Sequence, residues 1–562
     1  MSESTSTKRP TGPPPGSPGS GPGSKRPWIV LCIMCIGFFM SLLDGAIVNI
    51  AIPTLIHSLN ASYDQVLWVI DAYMLVFSVL LITTGRLGDI VGYRRMYVIG
   101  IVTFTVASAL CGFAGSPGAL LAARVLQGLG SALLFPQVIS VILTTFPPRM
   151  RGRAFGVFGI IVGFAPILGP VGGGLLLAHL SWRWIFFINV PIGIVTAILA
   201  LTIVPAARTE QRHKLDPAGV ALATLGLAGI VFGLIEGQRY DWGTITGPIS
   251  IGAVIAVGVV LLIAFVLWQA WQQKRQGEPL MPLVLFNVRN FSVGNVVGFV
   301  FQLGMIGIAF VLVLYLQFAR GYSALETGLA LLPMAVLTAF GSALSGKLSD
   351  KFGGKYILMA GLGLLAVGLF LLVALVGPHT SIWTLMPALL VMGAASGATF
   401  TPLQQATMDG VDRGLAGAAS GVSSTTRQIG GVLGTAVIGA LLTSRLSTTL
   451  HQEAERRAGR LPEQLRDRFV NDVTQGAGHY APAAVPGNLD AATGALYKHL
   501  TSETFAGGFS SAMNTTLVVA AVTLVLSALG CLLFTRPQKE EKGEETAPRP
   551  RGLGEQSEPG RG

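Results

Sequence analysis

Fourteen apolar runs of about twenty residues organise this 562-residue chain, near 28–47, 66–85, 96–115, 119–144, 154–178, 183–204, 216–236, 247–268, 291–316, 327–347, 356–376, 383–406, 417–443 and 512–534. A helix rises about 1.5 Å per residue and bilayer hydrocarbon is about 30 Å thick, so each run is long enough to cross it. Continuous runs exclude a membrane β-barrel, whose strands alternate over about ten residues. Only 12% of the residues are charged, against about 25% in a soluble domain, which excludes a water-soluble enzyme. The expected fold class is all-α integral membrane.

Charge gives the orientation. Arg94, Arg95, Arg149, Arg151, Arg153, Arg208, Arg212, Lys214, Lys274, Arg275, Lys351 and Lys355 fall in connections on one side, while 56–65, 116–118 and 377–381 on the other carry no Lys or Arg. By the positive-inside rule both termini are cytoplasmic, and the polar segment 444–511 is an extracellular loop. The net charge of +11 is then topogenic and calls for no nucleic-acid partner. Residues 1–27, rich in Pro, Gly and Ser, and the charged 535–562 read as disordered tails. The four cysteines lie inside apolar runs, where Cys32-x-x-Cys35 reads as small hydrophobes.

The chain repeats itself. GRLGDIVGYRR (85–95) follows the second run and GKLSDKFGGK (346–355) follows the tenth, with Asp89 and Asp350 spaced 261 residues apart. The matched positions are Gly85, Asp89, Gly92, Arg94 and Arg95 in the first copy and Gly346, Asp350 and Gly353 in the second. Two copies after the second and tenth helices imply a duplicated half with two extra helices between, an arrangement of 6 + 2 + 6. The domains expected are a six-helix bundle at 28–204, two linker helices at 205–275 and a second bundle at 276–534. An aspartate at a helix end, near a neighbouring helix start, is a charge that can latch two bundles and release them.

With LDGAIVNIAIP (43–53), LAARVLQGLGSA (121–132), GPVGGG (169–174), SWRWIFFINVPIG (181–193), PLMPLVLFNVRNFSVGN (279–295), GYSALETGLALLP (321–333) and AGAASGVSSTTRQIGG (416–431) in order, the chain resembles the major facilitator superfamily. Within it, the resemblance is to the fourteen-helix drug:proton antiporters of the EmrB/QacA type. That resemblance implies proton-driven export and no cofactor. It puts Asp44 on the acidic position of the first-helix motif, Arg124 on a helix-four arginine tied to proton transfer, and Asp71 on an acid found in exporters of dicationic drugs. It also reads Pro166, Gly169, Pro170 and Gly173 as the exporters' antiporter motif, glycines letting backbones approach and prolines bending the helix.

The residues themselves point the same way. A charge inside the membrane is costly, so each marks a functional candidate. Asp44 lies about 24 Å along the first helix, and burial favours the protonated form of such an acid, which suits a group that takes up and gives back a proton. Arg124 is always ionised, and pairs with Asp44 or another carboxylate. Proton coupling is thus expected of Asp44, Asp71 and Arg124. Asn49, Asp71, Tyr73, Glu236 and Arg427 are candidates for the substrate cavity; Glu236 either acts there or snorkels, and spacing assigns Arg427 no role. GSALSGKL (341–348) lacks the final Ser/Thr and the preceding strand of a phosphate-binding loop, so ATP is not the energy source. No metal-ligand spacing occurs. The function expected is a monomeric proton antiporter of the cell membrane that exports lipophilic, cationic drugs or antibiotics, with a dedicated exporter of one metabolite as the alternative and an uptake symporter as a more distant one.

Overall fold

The computed structural model describes residues 26–205, 214–237, 239–240, 242–479, 482, 485–486 and 489–535. The tails 1–25 and 536–562, and the segment 206–213 with Arg208 and Arg212, lie outside the described residues. The helices are α1 (Arg26–Leu59), α2 (Tyr63–Val91), α3 (Tyr93–Phe113), α4 (Pro117–Thr145), α5 (Pro148–His179), α6 (Trp184–Ile203), α7 (Pro217–Glu236) and α8 (Ile251–Lys274). They continue as α9 (Arg289–Ala319), α10 (Ala324–Phe352), α11 (Gly354–Leu375), α12 (Ile382–Thr407), α13 (Ala416–Ala458) and α14 (Ala491–Gly530). Among the described residues, thirteen helices are long and apolar enough to cross a membrane, and the 32-residue α5 occupies the remaining expected span.

Helix starts are written in the sequence. Ser62 and Ser323 form capping boxes with Gln65 and Glu326, while Ser116, Asp216, Ser250, Ser381 and Asp490 accept a backbone N–H of the first turn. Helix α1 runs on past its expected end through a 3-10 turn, Val48–Ala51, and stops where Asn60 turns left-handed at φ 49°. Helix α8 begins at Ile251 rather than 247, because Gly247, at φ 54°, turns a short hairpin between strands Thr244–Thr246 and Ile249–Ser250.

Between the two expected halves, α1–α6 and α9–α14, contact runs mainly along two seams, α2 on α13 and α5 on α10. Helices α7 and α8 pair with each other and reach the rest through α7, which lies against α2 and α13. Helix α8 is the least buried of the thirteen, with Val257, Val260, Ile263 and Leu267 turned outward as on a lipid-facing helix.

The segment expected as a loop, 444–511, is largely helical. Helix α13 continues to Ala458, a helix Glu463–Gln475 follows, and α14 starts at Ala491. Leu446, Leu450, Ala454 and Ala458 recur every fourth residue and bury against Phe469, Val473, Tyr497 and Leu500. The 43-residue α13 is about 64 Å long, twice the hydrocarbon thickness, so its polar end projects beyond the membrane as a small packed cap.

Candidate functional site

Five helices converge on one buried carboxylate. Asp44 on α1 is fully buried, and Arg124 on α4 donates from Nη1 to its Oδ2 at 2.5 Å. The other oxygen accepts from Gln127 Nε2 at 2.8 Å and from Asn189 Nδ2 at 3.1 Å. Ser108 on α3 accepts from both amides and donates to the Phe186 carbonyl at 2.9 Å. Arg124 and Gln127 are three apart, so one helix face presents both. The guanidinium also donates from Nη1 to Gln127 Oε1 at 2.8 Å and from Nε to the Val69 carbonyl at 3.1 Å.

Tyr73 lies beneath this pair. Its ring centroid is 4.2 Å from the Arg124 guanidinium carbon, and its hydroxyl donates to the Ser41 carbonyl at 2.9 Å and pairs with Ser131 Oγ at 2.8 Å. The cluster is closed to bulk solvent, since Asp44, Arg124, Gln127 and Ser108 are all wholly buried. Removing one partner of a buried ion pair costs about 3–5 kcal/mol. A proton on Asp44 therefore takes the counter-charge from Arg124, whose Nη2 already lacks a hydrogen-bond partner.

The other expected cavity residues lie elsewhere. Tyr73 is 3% exposed and belongs to the ion-pair cluster. Asn49 is exposed, and its amide donates to the Gly45 carbonyl at 3.2 Å within its own helix. Asp71 is half-buried on α2, within electrostatic range of Glu236 and Arg239. Glu236 does not snorkel to water: it is 2% exposed and pairs with Arg239 at 3.2 Å, and Arg239 also holds Asp64 at 2.7 Å. This network ties the end of α7 to the start of α2. Arg427 is buried on α13.

At one end of the molecule the repeated motif forms two reciprocal latches. Asp89, ending α2, accepts from Gly417 N at 2.7 Å and Ala418 N at 2.8 Å in the first turn of α13. Asp350, ending α10, accepts from Gly152 N at 2.9 Å and Arg153 N at 3.1 Å in the second turn of α5. The Asp89 carboxylate thus caps the start of α13, where free N–H groups and the helix dipole favour negative charge, while Asp350 reaches one turn further into α5. Gly92 and Gly353 follow at φ 100° and 87°, a backbone that glycine adopts without strain. A Cβ on Gly85 would lie 2.4 Å from the Gly417 carbonyl, and one on Gly346 would lie 2.3 Å from that of Gly152. Of the basic residues, Arg94 donates to the Leu201 carbonyl of α6, and Arg95 is exposed.

Helix α5 carries two glycine faces. Gly152, Gly156, Gly159 and Gly163 lie against α10, whereas Gly169 and Gly173 lie against Ala46 and Ile47 of α1. The side chains of Pro166 and Pro170 lie outside the described residues. Gln127, Asn189 and Ser108 were not singled out from the sequence. Gln127 repeats the Arg124 face in the quoted fourth-helix motif, and Asn189 is the polar interruption of WIFFINVPIG, which is the signal each left.

Residues 34–435 match the family model described as Major Facilitator Superfamily. The chain is 34% identical over 561 residues to the probable actinorhodin transporter of Streptomyces coelicolor, covering 94% of this chain and 96% of that one. It is 32% identical over 532 residues to the tetracenomycin C resistance and export protein of Streptomyces glaucescens, covering 93% and 95%. The fold is similar to that of the human organic anion transporter MFSD10, with a TM-score of 0.56 at 13% identity over 90% of this chain and 99% of that one.

Proposed function

Because the chain belongs to the major facilitator superfamily, we propose that it is a proton-driven exporter of lipophilic, antibiotic-like small molecules, working by alternating access as a monomer in the cell membrane. The observation that carries this is the pairing of Asp44 with Arg124, sealed inside one helix group, while two carboxylate latches join the groups at a single end. In this reading α1–α6 and α9–α14 are the two moving bundles, α7 and α8 are the linker pair, and the latch end faces the cytoplasm with both termini. A molecule enters from the cytoplasm with the latches open. A proton arriving from outside neutralises Asp44, frees Arg124 and favours return of the empty carrier, each charge drawing about 2.3 kcal/mol per 100 mV.

Relatives named for single antibiotics, similar along nearly the whole chain, favour a dedicated exporter over a broad one. Cationic cargo would be met by Asp71 and by Glu236, which Arg239 already neutralises in part. The test is expression in a host stripped of its own pumps, challenged with a panel of polycyclic antibiotics and cationic dyes. Raised resistance and lowered accumulation that an uncoupler abolishes are expected. Accumulation indifferent to the protein, or export indifferent to the uncoupler, refutes the proposal.

A further inference from the structure

The second helix group holds a buried cation with no carboxylate beside it. Arg427 lies nine residues beyond Ala418, about 14 Å along α13 from the latch, and is 8% exposed. Its Nη1 donates to Gln404 Oε1 on α12 and to Ser423 Oγ at 3.0 Å, and its Nη2 donates to Ser424 Oγ at 3.3 Å. All three partners are neutral. Among the described residues no Asp or Glu forms an ion pair with it, in contrast to Arg124, whose charge Asp44 balances. Gln404 is 1% exposed and its Nε2 has no acceptor, so a donor without a partner stands beside the guanidinium.

An aromatic row runs alongside. Phe400 lies one turn before Gln404 on the same face of α12 and stacks on Phe158 of α5, with centroids 6.0 Å apart. Phe158 stacks in turn on Phe38 at 4.9 Å and meets Phe135 edge-on at 6.2 Å, and Phe135 meets Phe77 at 5.8 Å. The row crosses from one helix group to the other. On the third side Gly298 of α9 has no side chain, and a Cβ built there would meet Arg427 Cγ at 3.6 Å.

Buried donors call for acceptors, and a guanidinium calls for an anionic oxygen. We propose that Arg427 and Gln404 recognise a negatively charged oxygen, a carboxylate or an ionised phenol, on an aromatic compound whose rings lie along the phenylalanine row. The inference names the substrate class of the export reading, and rests on that reading for the direction of transport. The charge that such a compound meets deepest in the protein is then positive, opposite to that of Asp71.

The test uses purified full-length protein and three probes with one aromatic body: 1-pyrenebutyrate, its methyl ester, and a pyrenylbutyl trimethylammonium salt. The acid is expected to bind at least tenfold tighter than the ester. R427Q should erase that difference, R427K should keep part of it, and Q404L, which leaves the cation in place, should reduce it severalfold. A wild-type protein that binds ester and acid equally, or an R427Q protein that keeps the preference or loses all three probes alike, overturns the proposal. If R427Q does not fold, the wild-type and Q404L comparisons still decide. Proton-driven uptake of the same probes into everted vesicles is the separate arm: binding that discriminates through Arg427 without such uptake leaves the site standing and removes export.

Discussion

Replacing Asp89 by Asn weakens the latch by an amount that the geometry sets. The carboxylate accepts two backbone N–H groups, at 2.7 and 2.8 Å, in a wholly buried position at the start of α13. An amide keeps one acceptor oxygen, loses the charge, and turns its NH2 toward the second N–H. Losing one charge-assisted hydrogen bond costs about 1.5–3 kcal/mol, and the interaction with the helix dipole adds a few tenths or more. A total of about 2–3 kcal/mol shifts the ratio of closed to open latch by a factor of about 30–150. Asp350→Asn should do less, because its bonds are longer, at 2.9 and 3.1 Å, and its ionic partner Arg153 is half exposed. The reporter is a cysteine at Ser140, which is buried on α4 and 3.3 Å from Ser420 of α13, in a protein whose four native cysteines are replaced. An impermeant maleimide added from the latch side should label the Asp89→Asn protein at least tenfold faster than its parent. Equal rates, or faster labelling with Asp350→Asn than with Asp89→Asn, would refute the account of the latch.

Three further outcomes are expected. Gly85→Ala puts a methyl 2.4 Å from the Gly417 carbonyl, so the α2–α13 seam should fail to close and transport should fall to background while the protein still inserts and purifies; normal transport would show that the seam need not be this tight. Phe469→Ala removes a fully buried ring that packs edge-on against Tyr497 at 5.3 Å, and should cost about 3–5 kcal/mol within the projecting cap, measured as protease cleavage there ahead of cleavage in the helices. Asp409, in the turn between α12 and α13, has its pKa raised by burial, an effect that nearby Arg151 only partly offsets. A raised carboxyl pKa makes stability fall as pH rises through the folded-state value, so Asp409→Asn should raise the melting temperature at neutral pH and lose that gain in acid; a gain that persists undiminished in acid contradicts this.

Much of the fold was legible because apolar length is a coarse and strong signal. Expected and observed starts agree to within two residues at the caps Ser116-Pro117, Asp216-Pro217 and Ser381, but not at Ser250 or Asp490. The projecting cap was missed because Leu446, Leu450 and Ala454 lie among charged residues, where a stripe every fourth position is drowned by a low average hydrophobicity. The acidic and basic members of the site were legible because charge is scarce in such a chain. Their neutral partners were not, since Ser108 or Asn189 looks like any other polar residue in an apolar helix until the fold brings it to Asp44. The place of the Tyr73 ring under Arg124 was not legible either, because a helix sequence does not say which neighbour each face meets.

The central claim is that the Asp44–Arg124 pair couples protons to transport, and Asp44→Asn tests it most directly. In everted vesicles the substituted protein, present at parental levels, should lose all accumulation driven by an imposed pH gradient. It should retain exchange of labelled for unlabelled substrate, because the path between the bundles is untouched. Accumulation in the Asp44→Asn protein that still follows the pH gradient would contradict the account.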